Sequence, residues 1–226
     1  MFGDVAPTYD LLNHTLSLQI DRRWRTRAVR ASLQPGDKRV LDLCCGTGDF
    51  ALAYRRHLAP EGLVVGSDFA HPMLTHFNRK RERLAAHGSR LTAVEADSLR
   101  VPFRDEMFDV VSVGFGLRNI DGTAAGLAEM ARLTRRGGRI VILEFCPHAK
   151  PNLFHRLFRF YFRHVLPRIG RLVSRHPTAY SYLPKSVEGF PPREEVIALM
   201  DGAGLDLLVA KDLTGGIATL FVAEKR

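Results

Sequence analysis

The sequence has little of what marks secreted, metal-built or membrane-spanning proteins. It has three cysteines in 226 residues, Cys44, Cys45 and Cys146, with no Cys-x-x-Cys pair and no matching pair of histidines. A disulfide framework and a zinc site are therefore not expected, and no metal is expected. An odd count with two adjacent thiols suits a reducing compartment, where they act as small buried hydrophobes. No run approaches 18 apolar residues without charge, so no membrane span is expected. Met1-Phe2-Gly3-Asp4 lacks the basic-then-apolar order of a signal peptide, which makes a cytoplasmic location the expectation. Repeats and low-complexity tracts are also lacking. With 46% hydrophobic and 25% charged residues, disorder is excluded. A chain of this length buries roughly 70% of its unfolded surface and needs no cross-links.

Positive charge is in excess, and it is unevenly placed. The net charge is +9, and residues 151–176 carry six arginines (156, 159, 163, 168, 171 and 175) with no Asp or Glu. Within that segment Leu153, Phe154, Leu157, Phe158, Tyr161, Val165 and Leu166 recur at three- and four-residue spacing. This is the pattern of a basic amphipathic helix. It reads as a lid packing its aromatics on the core, as a peripheral contact with an anionic membrane, or as both. An exposed aromatic lid could also serve a homodimer. The same charge leaves an RNA-binding or RNA-methylating protein as a competing reading. No Asn-Pro-Pro-Tyr or RNP-like motif supports that reading, and no nucleic-acid partner is expected.

Along the chain, residues 5–33 read as helical, ending near Pro35-Gly36. Strands are expected over 39–44, 63–68, 90–95, 108–113 and 139–145, the last after a Gly137-Gly138 turn. Helices are expected over about 49–58, 72–86 and 122–134. Strands alternating with helices imply a doubly wound α/β domain, its parallel sheet covered on both faces. Residues 151–190 break the pattern. A helix over about 193–203 and strands over 205–210 and 217–224 follow, with Gly215-Gly216 as the turn of an antiparallel hairpin. One domain is expected, made of an N-terminal helical lid (1–36), a cofactor-binding core (37–148), a helical insertion over the substrate (151–190) and a C-terminal helix and hairpin (191–226).

The sharpest local signal is Leu41-Asp42-Leu43-Cys44-Cys45-Gly46-Thr47-Gly48-Asp49, where the first strand meets the first helix of the repeat. Gly46 and Gly48 let backbone approach a ligand beside the electropositive helix end. Asp68, twenty residues after Gly48, ends the second strand, where a carboxylate can accept hydrogen bonds from ribose hydroxyls. A dinucleotide fingerprint wants a third glycine at position 51. Ala51 stands there, which the pattern tolerates, so an NAD-dependent oxidoreductase stays open on spacing alone. The acids argue otherwise. Asp42 lies inside the strand, and Asp97 with Ser98 follows the third strand, where an acid can accept from an adenine amine. Asp42 or Asp49 could face the cationic sulfonium of S-adenosylmethionine, whereas acids suit a pyrophosphate poorly. The structural alternatives are a plain tight turn, an Asp49 helix N-cap and a loop Asp97.

These residues resemble the C-methyltransferases of menaquinone and ubiquinone biosynthesis over nearly the whole chain. The resemblance is carried by Tyr9-Asp10-Leu11-Leu12-Asn13, Asp21-Arg22-Arg23-Trp24-Arg25, the 40–49 glycine loop and Val101-Pro102-Phe103. Phe115-Gly116-Leu117-Arg118-Asn119, Leu143-Glu144-Phe145, Leu166-Pro167-Arg168-Ile169-Gly170 and Thr214-Gly215-Gly216-Ile217 add to it. The glycine loop is common to many methyltransferases, while the FGLRN and YDLLN segments are far more selective. The resemblance implies a class I S-adenosylmethionine-dependent methyltransferase fold, Rossmann-like, with a seven-stranded sheet whose last strand is antiparallel. It implies methylation of a ring carbon of a polyprenylated quinol, either demethylmenaquinol or the 2-polyprenyl-6-methoxy-1,4-benzoquinol of ubiquinone synthesis. It also implies cofactor contacts at Thr47, Asp68, Asp97, Ser98 and Gly114. Cys45 departs from the pattern, since Gly or Ala often stands there.

Methylating an aromatic carbon needs an electron-rich ring held in line with the donor, with the developing phenolate stabilised. Arg118 and Asn119 follow the fourth strand at the carboxyl edge, where such folds place chemistry. Arg118 could stabilise a phenolate or order a water, or it could form a structural ion pair with Asp121 or Glu129. It is always protonated and no base itself. Tyr9, Asp10 and Asn13 form a polar cluster that could close over the cofactor. His14, His148 and Tyr180 have the chemistry of a base, and the sequence leaves the general base unassigned. A methyltransferase acting on another small aromatic or lipid is the nearest alternative.

Overall fold

A computed structural model describes residues 19–83, 90–147 and 186–226. Helix α1 (Ile20–Ser32) leads into β1 (Arg39–Leu43), α2 (Asp49–Arg55), β2 (Leu63–Asp68), α3 (His71–Glu82) and β3 (Leu91–Glu95). Then come β4 (Phe108–Gly114), a 3-10 turn (Leu117–Asn119), α4 (Thr123–Leu133), β5 (Thr134–Glu144), α5 (Arg193–Gly202), β6 (Leu205–Leu213), a second 3-10 turn (Thr214–Gly216) and β7 (Ala218–Lys225). The strands form one sheet in the order β3-β2-β1-β4-β5-β7-β6. All neighbours pair in parallel except β7, which runs antiparallel to both β5 and β6. The seven-stranded sheet and the hairpin thus stand as expected.

The central strands are apolar on both faces because both faces are covered. On one face α1, α2 and α3 place Trp24, Val29, Phe50, Tyr54, Leu74 and Phe77 against Val40, Val64, Val110 and Val141. On the other, α4 and α5 place Leu127, Met130, Val196 and Met200 against Leu41, Leu43, Val111 and Ile142. Among the described residues edge strand β6 has no second cover, and its Leu207 and Leu208 are exposed.

Strand β5 begins five residues earlier than the spacing suggested. Phe108 pairs with Thr134 and Val110 with Arg139, so residues 135–138 bulge out opposite Asp109 alone. Gly137 at φ 68° makes the predicted turn, but inside a continuous strand. The early end of α2 has a local cause. Buried Arg55 donates to the carbonyls of Leu58 (3.1 Å), Ala59 (2.7 Å) and Gly62, closing the chain back on itself.

Candidate functional site

The carboxyl ends of β1, β2 and β3 meet at the glycine loop, and packing explains its glycines. A Cβ on Gly48, at φ 84°, would stand 2.1 Å from the Phe77 ring. A Cβ on Gly46, at φ 54°, would meet nothing within 4 Å. Gly48 is therefore demanded by the core beneath, whereas Gly46 presents bare backbone to open space.

Asp68 is buried. Its two oxygens accept the Gly46 N–H (2.8 Å) and the Ala70 N–H (2.9 Å), so the acid that ends β2 holds the loop that follows β1. A carboxylate has about four acceptor positions, so capacity remains after these two and the Phe69 N–H. Burial raises its pKa, opposed by the N–H groups of Ala70, Gly46 and Phe69.

Asp42 lies deeper. It accepts the Ala51 N–H (3.0 Å) and the Ser112 hydroxyl (2.9 Å), tying β1 to α2 and to its in-register partner on β4. Burial pushes its carboxyl up to about 7; the Ser112 hydroxyl, the Arg25 charge and the Ala51 N–H oppose that shift, and the Asp68 charge adds to it. With the folded value above the ordinary 3.8, the folded chain holds an extra proton. This contribution to stability is complete below pH 4 and is lost as pH rises through about 7. The loss is on the order of 4 kcal/mol. Asp42→Asn keeps the shape and removes the titration. Calorimetric melting from pH 5 to 8 should show the variant gaining on the parent progressively. Parallel curves would refute the buried acid's role.

Thr47 is buried, and its hydroxyl accepts from Lys80 of α3 (2.9 Å), which also pairs with Asp49 (2.7 Å). Asp49 is not the N-cap expected as its structural alternative. Gly48 occupies the cap, and Asp49 opens the first turn held by the lysine. Beyond β3, Asp97 is exposed and accepts the Leu99 N–H (2.9 Å), while buried Ser98 lies 3.2 Å from the Cys44 sulfur. Burial pushes the Cys44 thiol up to about 12 and Cys45 well above its ordinary value, so both are protonated and unreactive. Gly114 ends β4 above Phe50, whose ring leaves no room for a larger residue.

The glycine loop continues into a second cluster through Cys44, since a Cβ on Gly116 would lie 2.4 Å from the Cys44 Cβ. Here Arg118 is almost fully buried. Its Nη1 donates to Glu144 Oε1 (2.7 Å) and to the Phe115 carbonyl, and its Nε to Ser186 Oγ (3.3 Å). Glu144, fully buried at the end of β5, also accepts the backbone N–H of Phe145 (2.9 Å) and of Arg118 (3.3 Å). The ion-pair partner is thus neither Asp121 nor Glu129. Glu129 is taken by Arg132 (2.7 Å), one turn along α4. Arg118 Nη2 has no partner among the described residues. Asn119 closes the 3-10 turn through its N–H to the Gly116 carbonyl (2.9 Å). An aromatic group floors this region. Phe115 and Phe145 are 4.6 Å apart, Trp24 packs on both, and the Arg25 and Arg118 guanidiniums lie over Phe115 and Phe145.

The structure brings together Asp42, Gly46, Thr47, Gly48, Asp68, Ser98 and Gly114, and sets Asp97 at their exposed margin. Tyr9, Asp10, Asn13, His14, His148 and Tyr180, and residues 151–185, lie outside the described residues. Sequence reasoning missed Lys80, which carries no motif, and the roles of Arg25 and Glu144, which appeared only as members of resemblance motifs. An acid closing an otherwise apolar strand, RIVILE, was the available signal for Glu144. The donor set fits a cationic nucleoside, with two buried acids, a loop of bare backbone and an exposed third acid.

Residues 1–225 match the ubiE/COQ5 methyltransferase family. The chain is 46% identical to the demethylmenaquinone methyltransferase of Deinococcus radiodurans, covering all of this chain and 91% of that protein. It is 45% identical to the enzyme of the same name from Thermus thermophilus, with full coverage of both. The geranyl diphosphate C-methyltransferase of Streptomyces coelicolor, solved with S-adenosyl-L-homocysteine, superposes with a TM-score of 0.60 at 16% identity, over 84% of this chain and 71% of that one. A SAM-dependent methyltransferase from Aquifex aeolicus gives a TM-score of 0.59 at 14% identity, over 82% and 81%. The sheet and its helices have the class I methyltransferase fold.

Proposed function

The chain belongs to the ubiE/COQ5 methyltransferase family, and from that premise we propose S-adenosylmethionine as its donor and demethylmenaquinol as its acceptor, the benzoquinol of ubiquinone synthesis being the second acceptor. The carrying observation is 45–46% identity along the whole chain to relatives named demethylmenaquinone methyltransferase. The donor, when bound, supplies an electrophilic methyl group.

This chain's residues do the rest. Asp68 presents its remaining acceptor positions to ribose hydroxyls, and Asp97 with Ser98 borders the base. Gly46, Thr47, Gly48 and Gly114 form the close-approach wall, and Tyr9 covers it. Asp42 lies beneath the loop with its carboxyl raised to about 7, and a positive charge above favours its ionised form. Arg118, held by Glu144 and turned over Phe145, steadies the developing phenolate at the carboxyl edges of β4 and β5, with Asn119 beside it. Of the two segments read as lids on the single domain, 1–36 and 151–190, the first contains α1, which packs on the sheet as part of its core rather than as a lid. The second lid touches an anionic membrane and offers a surface to a second copy.

No described helix is long and apolar enough to cross a membrane. The test offers short-chain demethylmenaquinol and the methoxy-benzoquinol in parallel, with labelled donor. Product from demethylmenaquinol at the higher kcat/KM is expected. Donor binding without product from either quinol would overturn the acceptor assignment and leave the donor site intact.

A further inference from the structure

We infer that the exposed face of α1 docks the protein on an anionic lipid bilayer. The 13-residue helix IDRRWRTRAVRAS buries Asp21, Trp24, Ala28, Val29 and Ser32 on the sheet. At 3.6 residues per turn its four exposed arginines, Arg22, Arg23, Arg27 and Arg30, fall on the opposite side within an arc of about 140°. Only Thr26 shares that arc, and no acid does. None of the four arginines makes an ion pair among the described residues; exposed Arg56, Arg79, Arg83, Arg100 and Arg104 make none either, but no other described helix carries four exposed arginines. Four unpaired arginines on one helix repel one another, and the cost of that repulsion is relieved by an external anion.

The opposite layer has the opposite sign. There α5 exposes Glu194 and Glu195, the turn before α4 exposes Asp121, and the outward positions 124, 125 and 128 of α4 are alanines. Positive charge spread evenly would attract the molecule to an anionic surface without orienting it. This separation turns α1 toward the surface and α5 away.

The inner side of α1 connects that surface to the site. Trp24 packs on Phe115 and Phe145 and donates to Thr214 Oγ1 (2.8 Å), so the helix abuts the carboxyl edges of β4 and β5. A bilayer against α1 therefore lies beside the rim where Arg118 sits. Only this last step rests on the lipid-tailed acceptor proposed above. A flat, fluid array of phosphates fits a helix-long cationic face whose exposed arc carries arginines and Thr26 but no aromatic side chain, and stacked RNA bases do not.

The test is flotation with vesicles of phosphatidylcholine containing 30% phosphatidylglycerol, which is about one anionic lipid in three. At about a fivefold gain per arginine held at such a surface, the full-length variant R22Q/R23Q/R27Q/R30Q should lose well over tenfold in partitioning. It should keep the parent's melting temperature and its turnover of a short-chain soluble quinol. R156Q/R159Q/R163Q in the insertion is made alongside. Unchanged partitioning of the α1 variant overturns the inference, whether or not the insertion variant loses binding. So does an α1-dependent affinity for an RNA oligonucleotide that exceeds the affinity for the vesicles. Loss of vesicle binding in the α1 variant, with no quinol methylated by the parent, upholds the docking face and overturns the acceptor reading instead.

Discussion

Asp68→Ala is expected to weaken S-adenosylmethionine binding by at least about 100-fold. Hydrogen bonds to a charged group contribute about 1.5–3 kcal/mol each, so two to ribose hydroxyls account for about 3–6 kcal/mol. The substitution also strips the Gly46 and Ala70 N–H groups of their acceptor, so the loop loses the anchor that sets it across from β2. Asp68→Asn separates the two effects. One amide oxygen can still accept a loop N–H, but the charge and half of the acceptor capacity are gone. Calorimetric titration of the donor should place the Asn variant between the parent and the Ala variant, with its melting temperature close to the parent's. An Ala variant that binds the donor as the parent does would remove Asp68 from the site.

Glu144→Ala is the second large effect, and it appears in both stability and rate. Removing one member of a buried pair leaves the other charge uncompensated and costs about 3–5 kcal/mol. Glu144 is fully buried, Arg118 nearly so, and two backbone N–H groups lose their acceptor as well. At roughly 2–4 °C per kcal/mol for a domain of this size, the melting temperature should fall by about 10 °C. Turnover should fall at least about 100-fold at a temperature where the variant is still folded, because Arg118 loses the partner that fixes its guanidinium. Glu144→Gln keeps an acceptor that positions the guanidinium but not the charge that compensates it, so it should recover much of the turnover but only part of the stability. The double variant Arg118→Met with Glu144→Leu restores an uncharged interior. It should melt above Glu144→Ala while remaining inactive. If it recovers turnover together with stability, the pair is structural only.

The elements most legible in the sequence were those with local causes. The buried strands LVVGSD and FDVVSVG announce themselves because a strand covered on both faces needs apolar residues at consecutive positions. The Gly-Thr-Gly turn, with an acid twenty residues on, is legible because positive φ, close packing and the bond from the Gly46 N–H to Asp68 constrain residue type at fixed spacing. The resemblance supplied the acceptor class, which spacing alone did not reach. The bulge in β5 was not legible. Gly137-Gly138 reads as a turn in either case, and only the pairing of Phe108 with Thr134 extends the strand past it.

By itself, then, the sequence determined the alternating α/β order, the hairpin at its end, and the glycine loop with its acids. These follow from periodicity and from φ preferences, which are properties of neighbouring residues. Tertiary structure decided the rest. It chose Glu144 over Asp121 and Glu129 as the partner of Arg118, although 26 residues separate the pair, because adjacent parallel strands bring their carboxyl ends together. It set Lys80 on Thr47 and Asp49, and it turned the arginine face of α1 outward on one side of the sheet while acids of α5 took the other. Ion pairs and charged faces depend on distance through space, and a one-dimensional order carries no distance until the sheet has set its register.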